Sequence, residues 1–226
     1  MKKFLLFCYA VATLQGFSGC SPSQPKEDYG WLKNAIDTSV QQLEETVADV
    51  GDSVLLPRSI WTGYDMDFLC SQLQREPVTF KDSLRMKPVK DALGSRRYCS
   101  SIYDWTSGFF PGNLWYAYQL TGIEDLKKDA VKFTNYLYPL KDYKGTHDIG
   151  FMVNCSYGNA LRETNNEAYK DVIIEAAKSL STRFRPAAGI IQSWDEDKGW
   201  QGKRGWMCPV IIDNMMNLEL LFKATE

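Results

Sequence analysis

Apolar residues recur along much of this chain at the three- and four-residue spacing that places them on one face of an α-helix. The first such stretch runs over 31–50 and predicts an amphipathic helix through its apolar positions Trp31, Ile36, Val40, Leu43 and Val47. The next stretch, 51–103, contains three prolines and only short apolar runs. Loops are therefore expected there, with one further helix near 64–73.

From residue 104 onward, apolar and charged segments alternate. The segments 109–120 and 148–162 are apolar nearly all round, which is typical of helices buried on every side. The segments that follow them, 125–138 and 168–184, each carry one charged face. This alternation predicts helical hairpins in which a buried inner helix is followed by a partly exposed outer helix.

The turns inside the two hairpins share a sequence pattern. Thr121 is followed three residues later by Glu124 and Thr164 by Glu167, and the two threonines lie 43 residues apart. Threonine and glutamate at this spacing are typical of a capping box, which opens a helix by binding its first free backbone N–H groups. The recurrence indicates a repeat of helical hairpins.

A third apolar segment runs over 210–224, directly after Pro209. Proline is favoured at the first position of a helix, where its missing N–H has no partner to lose. The segment predicts a third inner helix, and no outer helix follows it before residue 226. We therefore expect a closed ring of hairpins, of which about half lies in this chain, with 31–226 forming its N-terminal part.

Composition excludes several classes of function. The chain has 26 Lys+Arg against 28 Asp+Glu, a net charge of −2, so it lacks the positive excess of a nucleic-acid-binding protein. Apolar residues make up 44% of the chain, which excludes disorder as its main state. The chain has one histidine, His147, which excludes a multi-histidine metal site within it.

The N-terminus has the pattern of an export signal. Two lysines precede an apolar run over 4–14, which is too short for a transmembrane helix, and small residues follow up to Cys20. A cysteine after Ser-Gly is typical of bacterial lipid attachment. We expect residues 1–20 to be a signal peptide with lipid added at Cys20, and residues 21–30 to be a linker. The protein would then be exported, to the periplasm or to a membrane as a lipoprotein, with a plain secreted form and an uncleaved anchor as alternatives.

Four cysteines lie beyond that segment, at Cys70, Cys99, Cys155 and Cys208. None forms a CxxC pair, so a zinc site is not expected. Export permits disulfides, but the spacing assigns none, and buried thiols are the favoured interpretation.

Two carboxylates stand near the starts of predicted inner helices. Asp148 opens the second, and Asp213 lies in the first turn of the third, surrounded by the apolar residues Ile211, Ile212, Met215 and Met216. Inner helices of such a ring start at one mouth, so the two carboxylates are expected to share a site and to push one pKa upward. One protonated and one ionised carboxylate is the pair that acid–base catalysis on sugars requires. A helix cap is the alternative role for Asp148.

Aromatic residues gather near these positions. Trp105 precedes the first inner helix, and the segment before the third contains three tryptophans and two cations: Trp194, Trp200, Lys203, Arg204 and Trp206. Stacking platforms with cations suit an anionic sugar. Core packing of Trp105, a solvated loop for the cations and a structural role for His147 are the alternatives.

Four segments resemble the unsaturated glucuronyl hydrolases of glycoside hydrolase family 88. They are DWTSGFFPG at 104–112, THDIGFM at 146–152, SWD at 193–195 and IDNMMNL at 212–218. Their order and spacing also match, and the resemblance covers about 104–224. It implies an all-α fold, an (α/α)6 barrel of helical hairpins, and family members extend well past residue 226. The chain is therefore expected to be truncated at its C-terminus.

The resemblance also implies a reaction. In this family the substrate is an oligosaccharide that a polysaccharide lyase has left with a 4,5-unsaturated uronic acid at its non-reducing end. The aspartate that matches Asp213 protonates C4 of the vinyl ether and assists water at C5, and the one that matches Asp148 positions substrate or water. His147, Trp105 and Trp194 match positions that line the substrate, and no metal or organic cofactor is implied.

Two other functions stay open. An unsaturated rhamnogalacturonyl hydrolase shares the barrel and the hydration chemistry, although the motifs at 147–151 and 213–217 favour the glucuronyl family. An exported, non-catalytic helical-repeat binding protein is the alternative of a different class. Tetratricopeptide arrays repeat every ~34 residues, whereas the spacing here is 42–43.

Overall fold

The computed structural model describes residues 29–61, 86–88, 96–195 and 199–225. The predicted signal peptide, the lipid at Cys20 and the helix near 64–73 lie outside the described residues. Within the described part of the chain, no helix is both long and apolar enough to cross a membrane. By compactness the chain divides into two units, 1–35 and 36–226. The first contributes only the beginning of a helix to the described residues, and the contacts below lie within the second.

Helices dominate the described residues, which confirms the expected all-α class. In chain order they are α1 (Gly30–Val50), α2 (Phe109–Thr121), α3 (Glu124–Tyr136), a 3-10 helix (Tyr138–Asp142), α4 (Ile149–Val153), a π-helical turn (Asn154–Gly158), α5 (Asn159–Thr164), α6 (Glu167–Ser181), α7 (Gly199–Lys203), α8 (Asn214–Asn217) and α9 (Glu219–Lys223). The strands are short: β1 (Leu56–Trp61), β2 (Met86–Pro88), β3 (Arg96–Ser100), β4 (Phe184–Arg185) and β5 (Ile190–Ile191).

A three-stranded antiparallel sheet occupies part of the stretch 51–103, where only loops and one helix were expected. Its strand order is β1-β3-β2, so β1 and β2 are edge strands. The register of β1 shifts between Pro57 and Ser59, and this irregularity hides the alternation that identifies a strand. The buried Arg97 of β3 donates from Nε and Nη2 to Asp49 of α1 at 3.2 and 3.1 Å, which ties the sheet to that helix.

The two predicted hairpins are present, with the inner and outer character expected. Helix α2 buries Phe110, Leu114 and Trp115, and the Trp115 indole N–H donates to the Thr134 hydroxyl of the neighbouring α3 at 3.0 Å. Helices α4 and α5 run as one continuous inner helix through the π-helical turn and pack against α6. The outer helices bury one face and leave the charged face in solvent.

The capping boxes predicted at the hairpin turns are wrong, because the two threonines close the preceding helices. Thr121 donates to the carbonyl of Ala117 at 2.7 Å, and Thr164 donates to that of Ala160 at 2.6 Å. The residue after each threonine has a left-handed backbone, with φ of 71° at Gly122 and 51° at Asn165. The repeat itself is therefore real, since both turns have one geometry.

The prediction of one inner helix over 210–224 is also wrong about where that helix begins and about its continuity. The chain forms two short helices, α8 and α9, and the first begins only at Asn214. The reason is a contact with a distant segment: Ser193 donates its N–H to the Pro209 carbonyl at 2.9 Å, and its hydroxyl accepts the Ile211 N–H at 3.1 Å. These bonds hold residues 209–211 alongside Ser193 instead of in a helix.

The three cysteines in the described residues form no disulfide. Cys99 is buried, whereas Cys155 and Cys208 are half-buried, so the expectation of buried thiols holds fully only for Cys99. Burial raises the pKa of Cys155 to about 11, which makes that thiol unreactive. Cys70 lies outside the described residues.

Candidate active site

Three of the predicted site residues meet at the start of α4. Nε2 of His147 lies 3.4 Å from Oδ1 of Asp148 and 3.3 Å from Oδ1 of Asp213. The imidazole is buried, and the carboxylate side chains are 13% and 34% exposed, respectively. The two carboxylates expected to share one site therefore do so, with the histidine in contact with both.

A backbone carbonyl determines which nitrogen of His147 carries a proton. Nδ1 lies 2.9 Å from the carbonyl oxygen of Ser193, which can only accept, so Nδ1 is the donor. A neutral imidazole would then turn the lone pair of Nε2 toward two carboxylates. That arrangement is repulsive if both carboxylates are ionised. Protonation of Asp148, whose pKa burial raises, removes this repulsion at its contact with Nε2.

Asp148 stands just before α4, but its side chain does not cap the helix. Instead, the Thr146 hydroxyl donates to Oδ2 of Asp148 at 2.7 Å. Burial raises the pKa of Asp148, against the lowering effects of the Thr146 hydrogen bond and of His147; the Asp213 carboxylate adds to the rise, and Arg183 opposes it. The helix-cap alternative is wrong, and Asp148 is a carboxyl whose surroundings favour its protonated form.

Asp213 occupies the corresponding place before α8, and its side chain makes no capping hydrogen bond either. Asn217, which is completely buried, joins the two helix starts. Its Oδ1 accepts the N–H of Phe151 at 2.8 Å, and its Nδ2 donates to the carbonyl of Asp213 at 3.3 Å. One amide group thus holds the first turn of α4 against the first turn of α8.

Sequence reasoning did not identify Thr146 or Asn217. The local signal for Asn217 was its polar side chain four residues after Asp213, within an otherwise apolar segment. Thr146 is two residues before Asp148, close enough for its hydroxyl to reach the carboxylate across one turn.

The predicted tryptophans lie in two places. Trp194 packs edge-on against His147, with ring centroids 5.6 Å apart and an interplanar angle of 81°. Trp105 is 46% exposed and packs against Phe109 and Phe151, with ring centroids 5.8 and 6.2 Å away. Phe151 follows Asp148 by three residues, so this aromatic cluster adjoins the start of α4. Trp105 is not a core residue, and its exposed ring can contact a ligand.

The other aromatic and cationic residues of that segment are only partly described. The Arg204 guanidinium lies over the exposed ring of Trp206, 5.4 Å from its centroid. The side chain of Trp200 lies outside the described residues. The structure therefore brings Trp194 to the histidine directly, and shows Arg204 with Trp206 as a separate stacked pair.

The same three polar groups have the spacing of a cation site. Single ligand atoms of His147, Asp148 and Asp213 lie within 4.8 Å of one another. The two contacts of His147 Nε2, at 3.4 and 3.3 Å, are also close to the hydrogen-bond distance that proton transfer requires. The hydrogen bonds already described, from Thr146 to Asp148 and from His147 to Ser193, orient the groups without a metal.

Comparison with known proteins confirms the resemblance that the motifs indicate. An unsaturated glucuronyl hydrolase of Formosa agariphila is 52% identical over 124 residues, 54% of this chain and 30% of that protein. An unsaturated chondroitin disaccharide hydrolase of Streptococcus agalactiae is 32% identical over 127 residues, 54% of this chain and 30% of that protein. Residues 1–75 match a family profile described as a domain of unknown function.

A solved structure confirms the fold class. The crystal structure of an unsaturated glucuronyl hydrolase specific for heparin superimposes with a TM-score of 0.64 and 36% identity. The match covers 87% of this chain and 43% of that one. The chain is thus similar to part of the unsaturated glucuronyl hydrolases, with the helical architecture of their (α/α)6 barrel. It spans less than half the length of these relatives.

Proposed function

We propose that this protein removes the 4,5-unsaturated uronic acid from the non-reducing end of lyase-generated oligosaccharides. The observation that carries the proposal is the contact of both candidate carboxylates with one buried histidine nitrogen, at 3.3 and 3.4 Å. All three residues lie in the segments that resemble unsaturated glucuronyl hydrolases. The names of the relatives, which refer to unsaturated glucuronyl and chondroitin substrates, support the substrate class.

Asp213 is the proposed acid. Its side chain is 34% exposed against 13% for Asp148, so it is the carboxyl better placed to reach a sugar. Its proton goes to C4 of the C4=C5 double bond, and positive charge develops at C5, shared with the ring oxygen. The nearby carboxylates stabilise that charge. Asp213, now ionised, accepts a proton from the water that adds at C5.

Hydration alone is sufficient to cleave the glycosidic linkage. Addition of H to C4 and OH to C5 gives a hemiketal, and breaking its C5–O5 bond leaves a ketone at C5 and a hemiacetal at C1. The hemiacetal then opens to an aldehyde and releases the remaining sugar as an alcohol. No displacement at C1 is needed.

Asp148 and His147 are proposed to hold and replace the acid proton. Burial raises the pKa of Asp148, so this carboxyl keeps its proton to a higher pH than an aspartate ordinarily does. Nε2 of His147 contacts both carboxylates, which makes it the path between them. In this scheme Trp194, edge-on to the imidazole, forms one wall of the sugar site, and Trp105 provides a stacking surface beside it.

The proposal is tested by the ultraviolet absorbance of the conjugated C4=C5 uronate, which disappears on hydration. The assay uses the 226-residue chain, on unsaturated disaccharides from chondroitin, heparin and hyaluronan and on pectin-derived fragments. Loss of absorbance with glycosaminoglycan fragments supports the proposal, and the panel identifies the parent polysaccharide. Loss only with pectin-derived fragments would support the rhamnogalacturonyl alternative. No loss with any source would favour the helical-repeat binding protein.

We also propose, from the N-terminal pattern, that the protein is exported and carries a lipid on Cys20. The matched test compares Cys20→Ser with Cys8→Ser, because Cys8 lies inside the apolar run of the signal. The Cys20 variant should leave the membrane fraction and lose incorporation of labelled fatty acid, whereas the Cys8 variant should keep both. Equal behaviour of the two variants would exclude lipid attachment at Cys20.

A further inference from the structure

Arg183 is a buried cation beside the candidate site that the proposed chemistry does not use. It follows α6, and its side chain is 3% exposed. A buried charge is strongly unfavourable unless its hydrogen-bonding capacity is satisfied. Asp195, 28% exposed, accepts from Nη2 at 3.1 Å, but one partly exposed carboxylate uses only a fraction of the guanidinium donors.

The remaining donors of Arg183 join two loops. Nη1 donates to the carbonyl of Lys144 at 2.8 Å, three residues before His147. Nε donates to the carbonyl of Gln192 at 2.8 Å, and Nη2 donates to that of Ser193 at 3.2 Å. The first loop carries the catalytic histidine of the proposal, and the second carries Trp194. The guanidinium therefore holds together the two segments that form this side of the site.

The Ser193 carbonyl connects this arrangement to the histidine. It accepts from Arg183 and also from Nδ1 of His147, at 3.2 and 2.9 Å. Both lone pairs of the oxygen are thereby used, and its direction is set from two sides. That direction decides that Nδ1 carries the proton and that Nε2 faces the two carboxylates.

We propose that Arg183 is a positioning residue that holds the Ser193 carbonyl and, through it, the tautomer and orientation of His147. The effect on turnover rests on the proposed function, whereas the effect on the imidazole does not. Lysine cannot replace arginine here, because its three donors sit on one nitrogen and cannot reach carbonyls of two loops as a planar fork does. Substitution of Arg183 by lysine therefore keeps the positive charge and removes the geometry of the guanidinium donors.

The test uses the fact that the chain contains one histidine, so isotope-labelled histidine gives one set of ring signals. Long-range ¹H–¹⁵N correlation reports which ring nitrogen is protonated. It is recorded at neutral pH for the wild type and for R183K, R183Q and D195N, with the exposed-surface variant R162Q as control. Turnover is measured in parallel.

The wild type, D195N and R162Q are expected to keep Nδ1 protonated. R183K and R183Q should lose that signature in a substantial fraction of molecules and lower kcat by about 10²-fold, the effect of misplacing a catalytic group by about 1 Å. If a folded R183K or R183Q variant keeps the wild-type ring signals, the proposal is overturned. It is also overturned if D195N changes them as much as R183K, because the ion pair would then matter more than the carbonyl contacts.

If R183Q does not fold, the ring signals of R183K test the proposal, since that variant keeps the buried charge. If neither variant folds, the proposal is tested by the rate at which the Nδ1 proton of the wild type exchanges with solvent. A proton donated to a Ser193 carbonyl that Arg183 holds in place should exchange slowly. Fast exchange would contradict the proposal. If no substrate is turned over by any variant, the proposed function fails, yet the ring signals still decide the role of Arg183.

Discussion

Gly150 lies so close to Asn217 that it has no room for a side chain. A Cβ on Gly150 would be 2.7 Å from Oδ1 of Asn217 and closer still to the Asn217 backbone. That Oδ1 also accepts the Phe151 N–H at 2.8 Å. Asp148 stands two residues before Gly150 and Asp213 four before Asn217, so this contact sets the separation of the two carboxylates.

The substitution Gly150→Ala should therefore damage the site more than the fold. The added methyl group meets backbone atoms that cannot rotate away, and overpacking of this kind costs about 1–3 kcal/mol. Because α4 and α8 move apart, we expect turnover to fall by about 10²-fold. Thermal unfolding and kcat are measured beside Asn135→Ala, an exposed position on α3. Wild-type turnover in a folded G150A variant would show that the contact does not set the carboxylate separation.

Asp213→Asn and Asp148→Asn should each lower turnover strongly while the fold stays intact. General acid–base groups contribute about 10²–10⁴-fold, and an amide can neither donate nor accept the proton in the same way. The matched control is Asp171→Asn, an exposed aspartate on α6. Circular dichroism establishes the fold and the absorbance assay gives the rate. A drop of only twofold in either site variant is incompatible with its assigned role.

Asp148→Asn should also change stability with pH. Burial raises the pKa of Asp148 above its ordinary value of 3.8, so the fold favours the protonated carboxyl. That stabilisation is fully present below pH 3.8 and is lost as the pH rises through the folded-state pKa. Asparagine cannot ionise, so the variant should melt at a higher temperature than wild type at neutral pH. The difference should shrink toward pH 3.8. A variant that melts lower than wild type at neutral pH would refute the sign of the effect.

Removal of divalent cations should leave turnover unchanged. The proposed chemistry uses only proton transfer within the cluster of His147, Asp148 and Asp213, although these groups also have the spacing of a cation site. Turnover is measured with and without a chelator, and Mn²⁺ is added while the ring signals of His147 are followed. Chelator inhibition that a divalent cation reverses, or strong Mn²⁺ broadening at low concentration, would mean that the cluster binds a metal.

The local pattern of apolar and polar residues was sufficient to predict the helices that pack along their whole length. The apolar periodicity predicted α1 and both hairpins, because burial of one face repeats at the helical period. It missed the sheet, whose strands are short, lie largely at edges and include a register shift at Pro57. It also continued the third inner helix through residues 209–211, which Ser193 holds in another conformation.

The sequence by itself indicated Asp148 and Asp213 as candidate site residues, since they stand before successive inner helices within recognisable motifs. It did not indicate Thr146, Asn217 or Arg183. Tertiary structure alone decided their arrangement. The hydrogen bonds from His147 reach partners 46 and 66 residues away, and Asn217 joins segments equally distant. Such bonds depend on how the hairpins pack. The packing of segments that are distant in the chain produces no periodic pattern or fixed residue spacing in the sequence. For this reason the contact of His147 with both carboxylates, the tautomer of His147 and the place of Arg183 become visible only in the folded protein.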